Sequence, residues 1–453
     1  MQSTVVDAGR GFGTVAAGRA SDVYSKVTWR LVPLLFVCYV LSYLDRINIG
    51  FAQLQMKSDL GFSDAVYGLA AGIFFIGYFL FEVPSNLLLE KVGARKTITR
   101  IMVIWGLVSA GMAFVNAPWL FYVMRFLLGV FEAGFFPGII LYFTYWYPGA
   151  YRARIIAVFM SGIAVAGVLG GPLSGWIMND MAGVWGLKGW QWMFILEGLP
   201  TTLLGIYVFF YLDDKPEEAK WLTADEKALV RRNLELEQAG AGPDSGHGHD
   251  LHSFWAALKD PKVYVLSFSY FCFICGVYMI SFWLPTLIKE MGVQNPLHVG
   301  LLAAIPYSIT TVGMIAIGLH SDRTLERRWH CAIPAFVGAL ALIGLVYSTG
   351  NVVISFVLLS VASLGIITTM PLFWSIPTGY LKGSAAAGGI AFINSLGLIG
   401  GFMSPFVLGW IKTSTGSLEL GNWLMAGVMA VGGLVILFAV RPGMLREAQV
   451  SEH

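Results

Sequence analysis

The sequence predicts an all-α polytopic membrane protein: twelve transmembrane helices in two six-helix repeats, with both termini cytoplasmic. Three observations predict it. Hydrophobic residues make up 57% of the 453-residue chain and charged residues 12%, about half the ~25% of a soluble domain, so a water-facing surface could not be covered. Apolar stretches of roughly 20 residues, the length that crosses the hydrocarbon core, recur twelve times. The basic residues between them collect on one side. Backbone polar groups inside a membrane must be satisfied within helices or a closed barrel, and long apolar runs rather than short alternating strands select helices.

In chain order the spans are expected near 29–52, 65–88, 98–116, 118–147, 152–179, 190–212, 263–289, 297–320, 330–349, 352–377, 383–412 and 420–441. The fourth and eleventh are long enough to require tilt or extension past the headgroups. Residues 1–28 read as a polar, Gly/Ala-rich cytoplasmic tail without the apolar core of a signal peptide, and residues 442–453 as a second short tail. Of the 29 Lys and Arg, 23 fall on the side of the termini, and four (Lys57, Lys188, Lys289 and Lys412) on the opposite side. Arg46 and Arg125 fall inside spans. Basic residues are retained on the cytoplasmic face, which orients the chain. A net charge of +2 is too small and too dispersed to suggest nucleic acid.

Residues 213–262 form the one long polar segment, a cytoplasmic linker between a bundle at 29–212 and another at 263–441. Its AGAGPDSGHGHD stretch holds His247 and His249, with His252 just beyond; with no Cys or buried carboxylate to complete a site, these read as solvated linker rather than metal ligands. No metal and no cofactor is expected. Cys38, Cys272, Cys275 and Cys331 lie in or beside apolar stretches. The C-x-x-C at 272–275 has no βαβ context, so all four read as packing residues.

The halves repeat. NLLLEKVGARK (86–96) after span two matches GLHSDRTLERR (318–328) after span eight, and GGPLSGWI (170–177) in span five matches GGFMSPFVLGWI (400–411) in span eleven. The offsets stay within 232–234. Two six-span repeats with a binding site between them are the logic of alternating access. Gly167, Gly170, Gly171, Gly400 and Gly401 would let the halves approach and rock.

Charges near mid-bilayer cost at least ~2.5–3.5 kcal/mol each, so their default reading is functional. The deep candidates are Asp45 and Arg46 in span one, and Arg125 and Glu132 in span four. At about 1.5 Å per residue, Asp45, Arg46 and Arg125 fall at comparable depth in the outer half, with Glu132 nearer the centre. Arg125 and Glu132, seven apart, share one helix face. Arginine grips a carboxylate with two parallel hydrogen bonds. Arg46 and Arg125 are therefore expected to hold a substrate carboxylate, while Asp45 and Glu132 compete for them and titrate, which would couple proton and substrate movement. Glu82 reads as structural near the cytoplasmic mouth and Glu197 as a packing residue. Trp374 in span ten would suit an aromatic substrate.

The acidic–basic signature of 86–96 and 318–328 resembles the cytoplasmic loop motif of the major facilitator superfamily, with Asn86 where Gly is usual and Glu90 where Asp is usual. Finer resemblance is to its anion:cation symporter family of organic-acid carriers. LDRINIGFA (44–52), GYFLFEVPSN (77–86), RFLLGVFEAGFFPG (125–138), WQWMFILEGLP (190–200) and INSLGLIGG (393–401) carry it, together covering nearly the whole chain. The wording is similar to the bacterial branch associated with tartrate, phthalate, nicotinate and hydroxyphenylacetate. Sugar-acid carriers have a polar Gln in span five, where this chain reads SGIAVAG (161–167). The resemblance implies the major facilitator fold and proton-coupled uptake of a small organic acid anion by a monomer in a bacterial inner membrane. It further implies substrate contacts at Tyr43, Tyr78, Asn394, Arg46 and Arg125, and proton-coupling roles at Asp45 and Glu132. Glu90, Arg95, Lys96, Asp322 and Arg323 would latch the halves together at the cytoplasmic end when the carrier faces outward. Rivals are a sugar-acid symporter or anion exchanger on the same fold, a drug exporter, which two buried arginines disfavour for cations, and a nutrient sensor, for which the tails are short. No nucleophile, His/Cys cluster or phosphate cradle points to an enzyme.

Overall fold

Hydropathy alone sets most of the architecture. In a computed structural model, which describes residues 4–240, 259–324, 326–348, 350–380 and 384–439, twelve helices are long and apolar enough to span a membrane. They run Ser21–Leu60, Asp64–Val92, Ala94–Phe114, Pro118–Trp146, Arg154–Asp180, Gly189–Tyr211, Pro261–Glu290, Pro296–Thr324, Arg328–Tyr347, Val352–Thr378, Gly388–Thr415 and Glu419–Phe438. No strand occurs among the described residues. His247, His249 and His252 lie outside them, as do Lys382, Arg441 and Arg446.

Local chemistry explains the ends. Ser63 caps span two by accepting from the Val66 N–H at 3.2 Å, satisfying one of the orphan donors of a helix start. Asp260 caps span seven by accepting from the Lys262 N–H at 2.9 Å, with Pro261 in the first turn, where a missing N–H costs nothing. Span one runs beyond the expected 29–52: its helix continues from Thr4 to Ile47 and, after Asn48, from Ile49 to Leu60. Gly61 ends it at φ +68°, returning its N–H to the Lys57 carbonyl, a left-handed stop that glycine makes cheaply. Three spans are broken rather than continuous: span one at Asn48, span four at Ala133–Gly134 and span five at Ser161. Gly134 sits at φ +91°.

Within the first half the principal contacts are span three on six, two on four and one on five. Within the second they are nine on ten, nine on twelve and seven on eleven. The halves meet through span two on eleven, five on eight, and the second segment of span one on seven. These seams exploit small residues. A Cβ added at Gly171 would stand 2.5 Å from the Gly300 carbonyl oxygen, and one at Gly72 2.7 Å from the Phe402 carbonyl oxygen, so backbones approach where side chains are absent. The seam of spans two and eleven descends from Gly68 against Pro405 to Phe75 against Gly401. Below it Leu80, Val83 and Leu87 of span two are exposed. Among the described residues, the hydrogen bonds and ion pair between the halves lie at the end opposite the linker, here termed the far end.

The linker packs on the first half. Thr223 and Glu226 form a reciprocal cap at the start of the helix Ala224–Gly240, with Thr223 N–H donating to Glu226 Oε2 at 2.8 Å and Glu226 N–H to Thr223 Oγ1 at 3.3 Å, the capping-box arrangement. Lys26 pairs with Glu226 at 2.9 Å, and Arg152 with Glu237 at 3.3 Å.

Candidate functional site

The charged residues expected at mid-span are buried: Asp45 is 1% exposed, Arg125 and Glu132 are fully buried. Arg46 pairs with Glu132, joining spans one and four, and keeps 16% side-chain exposure. Ser42, one turn before Arg46, donates to the same Glu132 oxygen at 3.0 Å. The break at Ala133–Gly134 follows Glu132 directly, and the break at Asn48 follows Arg46 by two residues. Both partners of the pair thus sit at helix interruptions, where backbone has room to shift.

The pair is walled by rings. The Arg46 guanidinium carbon lies 5.9 Å from the Tyr43 centroid, 5.3 Å from Phe74 and 5.4 Å from Tyr78, within cation–π range. Tyr43 and Tyr78 therefore gather at Arg46. Tyr278 of span seven packs edge-on against the neighbouring Phe75, with centroids 4.4 Å apart, bringing the second half to the same level.

Arg125 has a different environment. Its Nε donates to the Ala70 carbonyl at 3.2 Å, while Nη1 and Nη2 are buried without an acceptor. Its guanidinium carbon stands 5.1 Å from the Phe74 centroid, so both arginines flank one ring. Neither carboxylate expected to compete for it does so in this state.

Asp45 departs most from expectation. It meets neither arginine: Ser109 of span three donates to Oδ1 at 2.8 Å and Thr201 of span six to Oδ2 at 3.2 Å. The cause is helical geometry. Adjacent residues point about 100° apart, so when Arg46 faces span four, Asp45 faces spans three and six. Thr201 also approaches the Glu197 carbonyl at 3.3 Å, and Ser174 of span five donates to Glu197 Oε1 at 2.7 Å. Glu197 is 3% exposed, with Oε2 unpartnered. Sequence reasoning gave the hydroxyls Ser42, Ser109 and Thr201 no part. Their signal was spacing: Ser42 lies one turn from Arg46, and Thr201 one turn from Glu197.

Trp374 and Asn394 stand on the second half. Trp374 Nε1 donates to the Tyr270 hydroxyl at 3.3 Å, and the rings lie 4.9 Å apart. Asn394 is half-buried in span eleven, one turn before Gly397, which abuts the Tyr270 ring. Among the described residues, the loop charges form no ion pair between the halves. The Arg95 backbone N–H donates to Asp214 at 2.7 Å, Arg327 pairs with Asp322 at 2.5 Å, and Glu90 is exposed. Both contacts stay within one half or its adjoining linker. The four cysteines are buried and free.

The far end carries a lock that the loop motif did not predict. Lys412 of span eleven pairs with Glu290 at 2.5 Å and reaches Asp64 of span two at 3.8 Å. Lys57 also pairs with Asp64. Thr413 Oγ1 accepts from the Ala65 N–H at 2.7 Å. Below this, the Phe282 carbonyl accepts from Tyr67 at 2.9 Å and Gln53 at 3.0 Å.

Comparison with known proteins agrees with this architecture. The chain is 46% identical over 447 residues to a protein from Agrobacterium vitis provisionally named a tartrate transporter, covering 97% of each. It is 40% identical over 419 residues to a quinolone resistance transporter from Acinetobacter baumannii, covering 92% of this chain and 95% of that one. Among solved structures, the inward-open xylose transporter XylE from E. coli superposes with a TM-score of 0.73 at 14% identity, covering 94% of this chain and 99% of that one. A family model of the Major Facilitator Superfamily matches residues 35–405. This chain is a multi-pass membrane transporter belonging to the Major Facilitator Superfamily.

Proposed function

We propose that the protein is a proton-coupled importer of a small organic acid anion, a tartrate-like dicarboxylate or an aromatic carboxylate, working by alternating access in a bacterial inner membrane. The halves 29–212 and 263–441, joined by the linker 213–262, would rock about the seams of spans two, five, eight and eleven. The observation that carries this reading is Arg125: a buried guanidinium with two Nη donors and no acceptor. An uncompensated buried cation costs several kcal/mol, and a carboxylate would satisfy both donors in one planar fork. The tartrate transporter name of the 46% relative supports the same class of substrate.

Coupling follows from the second arginine. While Glu132 is ionised it holds Arg46. Protonating Glu132 removes that partner and frees Arg46 for a second anionic or hydroxyl group of the substrate. Because Arg46 and Arg125 both flank Phe74, one small diacid could engage both. After release toward the linker end, deprotonation of Glu132 re-forms the pair and clears the site. Asp45, held by two hydroxyls and no cation, would take a proton independently. Tyr43 and Tyr78 shape the site from the first half; Trp374 and Asn394 would close it from the second.

In proteoliposomes, Glu132→Gln is expected to abolish pH-driven accumulation of labelled tartrate while preserving counterflow. Uphill uptake by this variant would remove Glu132 from coupling. A second reading, export of a carboxylate-bearing aromatic drug through the same arginines, is favoured by the 40% relative named for quinolone resistance. Growth of cells in a quinolone series, with and without the chain, distinguishes the two directions.

A further inference from the structure

The far end is poor in basic residues, as expected of a non-cytoplasmic face: it has Lys57, Lys188, Lys289 and Lys412. Three of these four converge. Lys57, Lys289 and Lys412 line one cavity of about 390 Å³, together with Gln53, Ser58, Thr286, Glu290 and Gln294. That volume falls in the range of small-molecule sites, roughly 300–1,000 Å³. The cavity straddles the seam, with Gln53, Lys57 and Ser58 from span one and the other residues from the second half. Chance placement of loop lysines would not bring three to one cleft from spans one, seven and eleven.

Their present partners are few. Glu290 and Asp64 serve Lys412, Asp64 also serves Lys57, and Lys289 donates to the Leu54 carbonyl at 2.9 Å. Three ammonium groups thus face two carboxylates, leaving a positive excess in a cleft that would focus field on an incoming anion. Beneath lies the clasp. Lys412 stands 5.6 Å from the Trp283 ring, and Trp283 packs edge-on to Tyr67 at 5.2 Å. Tyr67 and Gln53 both hold the Phe282 carbonyl. Gln53 therefore belongs at once to the cavity lining and to the clasp.

We propose that this cavity is an outer docking site for small carboxylate anions, distinct from the Arg46–Arg125 site and occupied before the far end opens. A docked carboxylate competes with Asp64 and Glu290 for Lys57 and Lys412. It thereby weakens the ion pairs that hold spans two, seven and eleven together, and loosens the clasp that separates it from Arg125. The inference rests on the organic-anion reading of the central site only for the identity of the transported probe.

The test is initial-rate uptake of tartrate by intact cells across a range of ionic strengths. The double variant Lys57→Gln/Lys289→Gln is expected to lower kcat/KM about tenfold at low salt and to flatten its salt dependence, as loss of electrostatic steering requires. Wild-type kcat/KM with wild-type salt dependence would overturn the proposal. A second measurement needs no transport. The native cysteines are all buried, so Gln294→Cys supplies an accessible thiol in the cavity. An anionic methanethiosulfonate should label it several-fold faster than a cationic one at low salt, and tartrate should slow that labelling; equal rates, or no protection, would overturn the proposal. If wild-type cells take up no tartrate, the importer reading fails, while the labelling ratio still decides the docking site.

Discussion

The two halves divide the work unequally. Spans one to six bury Asp45, Arg125, Glu132 and Glu197 along their length and hold Arg46 half-buried among them. In spans seven to twelve the charged residues sit only near helix ends, and the interior presents rings such as Tyr270, Phe373 and Trp374 with scattered hydroxyls. An internal repeat therefore conserves backbone architecture while its chemistry diverges. On the proposed reading, one half would hold the groups that bind charge and exchange protons, and the other would supply an apolar wall. Concentrating the charges lets Arg46 and Ser42 both serve Glu132 within one half, without a partner from the other half.

The comparison breaks most visibly at Arg125. Arg125→Gln should reduce transport on the order of 100-fold, the cost of leaving a buried anionic partner without its cation. Arg125→Lys should recover only part of it, because an ammonium cannot offer the fork; labelled-tartrate uptake measures both. Transport undiminished by Arg125→Gln would move the anion site elsewhere. On the other half, Trp374→Ala should raise KM for aromatic carboxylates more than for tartrate, by roughly three- to tenfold if the ring packs on substrate, with coupling intact.

The seam gives smaller effects. Asp64→Asn removes the partly exposed carboxylate that Lys412 reaches across the halves, and pairs of this kind are worth about 0.2–1 kcal/mol. Far-end opening should rise by roughly 1.4-fold to fivefold, read as faster labelling of a cysteine placed at Thr286. At the linker, Thr223→Ala should cost about 1 kcal/mol of local helix stability, visible as faster amide exchange in the helix Ala224–Gly240. The Thr223 backbone N–H and Lys26 hold the Glu226 carboxylate below its usual range. A depressed folded value contributes stability above the ordinary carboxylate range, and that contribution is lost as pH falls through the lowered value. Linker docking should therefore persist at neutral pH and weaken only in acid.

Most span positions were legible because bilayer thickness imposes a length on apolar runs. Eleven expected ranges lie within a few residues of the observed helices. Span one was underestimated because its helix continues through polar sequence to Gly61, and hydropathy does not report helix continuity. The breaks at Asn48, Ala133–Gly134 and Ser161 were illegible for the same reason. The four deep charges were legible as exceptions to an apolar pattern, but their pairing was not. Adjacent Asp45 and Arg46 read as a unit in sequence, yet the helix turns them toward different neighbours, and the hydroxyls that receive Asp45 come from spans three and six. The far-end lock was hidden because Lys57, Asp64, Glu290 and Lys412 each look like ordinary loop charges until the seam brings them together.

On the proposed reading, a proton enters at Glu132 when the anion takes Arg46. Calorimetry of tartrate binding to purified protein, repeated in buffers of different ionisation enthalpy, counts protons taken up per anion. Net uptake is expected for the wild type near neutral pH, with Glu132→Gln taking up fewer protons by the share that residue carries. Equal proton uptake by both proteins would contradict the account.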